Sequence, residues 1–138
     1  MIAYRKSIDA VTTHYLRLPE APQGQPAAQE IATLADGRTI VALEDDFALP
    51  EGQPAAIASS IETLPSPLPA ALRDEIKAAS PQVRLINERV RAAIAERYSL
   101  ADEIKLLRTA PSAEMEAYNA YAEDCRAWGR AEKAKLGL

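Results

Sequence analysis

Proline sets the first limit on what this chain can fold into. Eight of its ten prolines (Pro19, Pro22, Pro26, Pro50, Pro54, Pro65, Pro67 and Pro69) lie within residues 1–69, and only Pro81 and Pro111 follow. Each fixes φ and removes a backbone donor, so long helices and central strands are discouraged in the first half and permitted in the second. Charge shifts at the same place. Residues 1–69 carry 4 basic and 9 acidic side chains, whereas residues 70–138 carry 12 and 11. The joint change near residue 66 predicts a β-rich, proline-interrupted region over 1–65 and a helical region over 66–138. The expected class is α+β, a small N-terminal antiparallel sheet with Pro-rich loops followed by a C-terminal helical bundle or helical hairpin.

In the first region, Val11 to Leu18 is rich in β-branched and aromatic residues and predicts a strand. The stretch from Pro19 to Ala27 is a loop. Ile31 to Leu34 and Thr39 to Leu43 flank Ala35-Asp36-Gly37-Arg38, and Asp-Gly between apolar runs signals a hairpin, because Gly accepts the positive φ of a tight turn. Ala55 to Leu64 leaves helix and strand both open.

The helical region is punctuated by capping chemistry. Helices are expected over about 69–79, 81–97, 100–108 and 113–135. Ser80-Pro81 pairs a cap with a proline at the first helical position. Val83, Ile86, Val90 and Ile94 then form one apolar stripe, with Arg84, Glu88, Arg91 and Arg97 mostly off it. Ser99 and Asp102 resemble a capping box, after which Leu100, Ile104 and Leu107 share a face. Ser112 caps the last helix, which has Glu114 and Glu116 in its first turn and Arg130, Lys133 and Lys135 near its end, complementing the helix dipole. Gly137 is a plausible stop.

The residue inventory is poor in catalytic sets. One cysteine, Cys125, excludes an internal disulfide and a multi-Cys zinc site, and one histidine, His14, excludes His-rich metal centres. His14 reads as a structural side chain in a strand, and Cys125 as a small core residue. Glu44-Asp45-Asp46 is the densest acidic cluster, but it lacks the alternating ligands and the glycine of a calcium loop. The glycines are too scattered to cradle phosphate. No enzyme activity, cofactor or metal is expected. A formal charge of −4 argues against a nucleic-acid-coating protein. No stretch approaches the roughly 20 apolar residues of a membrane span, and Arg5, Lys6 and Asp9 interrupt the opening segment, so no signal peptide is expected.

Two stripes on the last helix remain. Tyr118, Tyr121, Cys125 and Trp128 recur at steps of 3, 4 and 3, and Arg126, Arg130 and Lys133 at steps of 4 and 3. The aromatic stripe reads either as core packing against helix 81–97 or as a docking face, since Trp, Tyr and Arg are enriched at interface hot spots. The basic stripe reads as a dipole-matched terminus or as a contact for an acidic partner. The candidate partner-binding residues are therefore Tyr118, Tyr121, Trp128, Arg126 and Arg130. Helices this rich in Ala bury little alone, so a homo-oligomer or a larger partner is expected.

An acidic, proline-interrupted first half followed by a helical tail ending in AYNAYAEDCRAWGRAEKAKLGL resembles the small proteins encoded beside bacteriophage tail-fibre genes, the tail-fibre assembly proteins and tail assembly chaperones. The likeness lies mainly in residues 80–138 and is one of layout. It implies a non-enzymatic role in folding or attaching a tail fibre, with another tail or fibre protein as partner. It also implies a place in the host cytoplasm during assembly or in the virion tail. A different class, an inhibitor of a host defence enzyme, would use Glu44, Asp45, Asp46 and Glu51 to occupy a nucleic-acid channel.

Overall fold

The computed structural model describes residues 1–20, 28–44 and 46–138. Most of the Pro19–Ala27 loop and Asp45 of the acidic cluster lie outside the described residues. The class is α+β, with an N-terminal antiparallel sheet followed by helices.

The first compact unit comprises residues 1–81 with residue 137. Its main sheet has the order β4-β5-β1-β6, formed by β1 (Ile2–Arg5), β4 (Ala28–Thr33), β5 (Arg38–Leu43) and β6 (Glu62–Thr63). β1 is central and antiparallel to both neighbours, with Ile2 opposite Val41 and Thr63, and Ala3 opposite Ile40 and Glu62. Period-2 alternation places Ile2, Tyr4 and Val41 on one face, where they form a core with Leu16 and Ile57. Ala3 and Ile40 point to the other face and are also fully buried. Both faces of the sheet are therefore covered. The helix α2 (Ala70–Ala79) packs along β4 and buries Ile76.

The hairpin at Asp36-Gly37 forms as its chemistry predicts. The Leu34 amide donates to Arg38 O at 2.8 Å, Asp36 Oδ1 accepts the Arg38 amide at 2.9 Å, and Gly37 takes a φ of 85°. In β4, Glu30 faces Val41 and Ala32 faces Ile40, so Ile31 is the extra residue of a bulge. Ala55 to Leu64 holds both of its readings, a single turn α1 (Ala55–Ala58) and then β6. Ser60 fastens that turn to β1, its Oγ accepting the Arg5 amide at 3.0 Å and donating to Ile57 O at 2.7 Å.

The strand expected over Val11–Leu18 is much shorter. Only β3 (Thr13–His14) pairs, antiparallel to β2 (Ser7–Ile8). Asp9 Oδ1 accepts the Val11 and Thr12 amides at 3.1 and 2.8 Å, which makes the tight turn. Further on, the side chain of Gln53 replaces a strand partner. It accepts the Arg17 amide at 2.9 Å and donates to Arg17 O at 3.0 Å.

The second unit comprises residues 82–136 with residue 138. The units thus divide at Pro81–Gln82, although composition changes near residue 66, because α2 packs with the sheet. The second unit carries α3 (Pro81–Arg97), α4 (Leu100–Thr109) and α5 (Ala113–Lys135). Ser99 and Asp102 form the capping box of α4, and Ser112 Oγ accepts the Met115 amide at 3.2 Å to cap α5. Few helical residues are buried here: Val83 in α3, Ala122 and Gly129 in α5, and none in α4.

Candidate functional site

The helices α3 and α5 run antiparallel. The Tyr121 hydroxyl donates to Ala93 O at 3.1 Å, and two turns further along α5, Gly129 meets Val90 and Ile86. A Cβ on Gly129 would stand 2.7 Å from Val90 Cγ2. Glycine is what permits this approach.

Near the end of α3 an aromatic cluster closes the contact. The Tyr98 and Tyr118 rings meet edge to face at 5.1 Å, and Tyr98 and Tyr121 lie 5.9 Å apart. The Arg97 guanidinium stands 4.6 Å from the Tyr121 ring centre and 5.6 Å from that of Tyr98, a cation–π arrangement. Arg97 is thus engaged in packing, although its spacing placed it among the residues off the apolar stripe. Burial raises the pKa of the Tyr121 phenol, with a further rise from its hydrogen bond with Cys125. Burial also raises that of Tyr118, followed by its hydrogen bond with Glu103. Both tyrosines are half-buried in the helical unit.

Beyond Tyr121, α3 and α5 leave an open groove of about 420 Å³. Val90, Ala93, Cys125 and Trp128 give it apolar walls, and Arg89 and Asp124 contribute one charge of each sign. Trp128 is 42% exposed. Cys125, expected in the core, is half-buried on the groove wall instead. An apolar concavity beside a half-exposed indole can take an apolar side chain of another polypeptide.

The arginines lie elsewhere on α5. Arg130 pairs with Glu123 at 2.5 Å and Arg126 with the same carboxylate at 4.0 Å, all three side chains more than half exposed. Trp128 is two residues from either arginine, which at 3.6 residues per turn puts it roughly 160° around the helix from them. The structure therefore brings Trp128 together with Val90 and Cys125 and separates it from Arg126 and Arg130. No family model, curated protein or solved structure matches this chain.

Of the groove, sequence spacing identifies Trp128 and Cys125 and misses Arg89, Ala93 and Asp124. Val90 was visible only as a member of the α3 stripe. Elsewhere, His14 Nε2 lies 3.0 Å from Asp9 Oδ2 within the small hairpin. Glu44, Asp46 and Glu51 are exposed in the stretch after β5. Among the described residues, no group of three His, Cys, Asp or Glu side chains could hold a metal ion, and no helix is long and apolar enough to cross a membrane.

Proposed function

We propose that this chain is a non-enzymatic protein that binds another polypeptide, and that its partner is a bacteriophage tail or fibre protein. The groove between α3 and α5, with Trp128 half-exposed at its wall, is the observation that carries the binding reading. The resemblance in layout to tail-fibre assembly proteins supplies the class of partner. The reading covers both an assembly chaperone, acting in the host cytoplasm, and a small component of fibre or baseplate. Mass spectrometry of purified particles separates these, because a component persists in the virion and a chaperone does not.

Trp128 is the anchor in this account, and Tyr118 and Tyr121 support the helix that carries it. Replacing Trp128 with Ala is expected to weaken binding of the co-expressed fibre protein by roughly thirtyfold or more, the effect of a typical hot-spot residue. Unfolding should stay cooperative, since the indole is half in solvent. Arg126→Ala with Arg130→Ala is expected to change binding much less, because those side chains share Glu123 on the opposite flank. Unchanged binding by the Trp128 variant would overturn the assignment of the groove.

A further inference from the structure

The exposed face of α4 carries the pattern of a two-stranded coil and is covered by no other element among the described residues. Leu100, Ile104 and Leu107 follow one another at steps of four and three and are 72%, 45% and 65% exposed. That spacing is the d-a-d seam of a heptad, and in a parallel coil Ile at a with Leu at d favours two strands. We propose that this face binds the same face of a second copy of the chain, with the two α4 helices parallel across a two-fold axis.

Charge complementarity selects this occupant and this direction. Glu103 immediately precedes the a-position Ile104, and Arg108 immediately follows the d-position Leu107. These are the g and e positions that flank a coiled-coil seam and set partner and orientation. In a parallel pair, Glu103 of one copy meets Arg108 of the other, and symmetry makes the contact twice. An antiparallel pair would instead turn the Glu103 flank of one copy toward the Glu103 flank of the other. Arg108 is exposed, and Glu103 is half-buried on the flank of the seam toward α5. The capping box at Ser99 and Asp102 holds the first turn of the seam in helical geometry.

The pairing uses a face distinct from the Trp128 groove and does not rest on the partner assigned there. Sedimentation of the intact chain across a concentration series is expected to shift from monomer to dimer. Ile104→Lys should leave a monomer of unchanged helical content, since the side chain it replaces is exposed. Arg108→Glu should weaken the dimer by roughly tenfold, and adding Glu103→Lys in the same chain should restore it. With Cys125→Ser as background, Leu107→Cys should form an intermolecular disulfide on mild oxidation, because parallel d positions face their own copies. A chain that stays monomeric at every concentration would overturn the proposal. So would a dimer indifferent to Ile104→Lys, or one that fails to cross-link through position 107.

Discussion

At Gly129, local propensity and packing pull in opposite directions. Alanine is favoured over glycine within a helix by about 1 kcal/mol, yet its Cβ would stand 2.7 Å from Val90 Cγ2. Val90 is β-branched and has few alternative rotamers on a helix, so the strain falls on the contact between α3 and α5. Overpacking of this kind costs roughly 1–3 kcal/mol. Gly129→Ala is therefore expected to lower stability in urea unfolding, and a second change, Val90→Ala, should recover part of the loss. Tyr4 makes a comparable residue-scale contact in the sheet. Its ring is fully buried, and its hydroxyl donates to Glu30 Oε1 at 2.6 Å while Lys6 Nζ holds Oε2 at 3.0 Å. Burial, followed by the hydrogen bond to Glu30, raises the phenol pKa far above its ordinary range. Tyr4→Phe keeps the ring and removes a hydrogen bond to a charged group, so a loss of about 1.5–3 kcal/mol is expected in the same assay.

Elements in this chain are delimited mainly by their caps and turns. Ser99 Oγ accepts the Asp102 amide at 3.2 Å, and Asp102 Oδ2 accepts the Ser99 amide at 3.0 Å. Ser99→Ala should cost about 1 kcal/mol, with faster amide exchange confined to the first turn of α4. The same contacts govern the acid response. The Ser99 hydroxyl, then its amide, holds the Asp102 carboxyl below the ordinary 3.8, and the Arg38 amide, then its guanidinium, does so for Asp36. The Val11 amide, then the His14 side chain, lowers Asp9 in the same way. A carboxyl whose pKa is lower folded than unfolded contributes stability that is complete above the unfolded value and is lost as pH falls through the folded one. The urea midpoint is thus expected to show no decline from these groups above about pH 5 and a fall below about pH 4. Asp36→Asn with Asp102→Asn should make that fall shallower. An equally steep fall in the double variant would contradict this origin.

For the whole molecule, what the sequence discloses follows from the range of the interaction. The Asp36-Gly37 hairpin and the four long helices are readable because their determinants lie within a few residues. Examples are Gly37 with its positive φ, Ser99 above Asp102, and Ser112 above Met115. The central strand β1 is not readable. Ile-Ala-Tyr-Arg offers only four residues, and its identity comes from partners at Arg38–Val41 and Glu62–Thr63, far along the chain. The strand foreseen at Val11–Leu18 fails for the converse reason, since its local β propensity is overridden by Asp9 and Gln53. The groove is half-legible. Trp128 and Cys125 stand out by spacing, but Arg89, Ala93 and Asp124 join them only once α3 and α5 pack at Gly129.

That groove makes the central claim measurable by hydrogen exchange on the intact chain, alone and with the co-expressed tail-fibre protein. The account predicts slowed exchange in the complex over residues 89–93 and 124–128, with the sheet of residues 1–81 little changed. Slowed exchange confined to the sheet, or none anywhere, would contradict it.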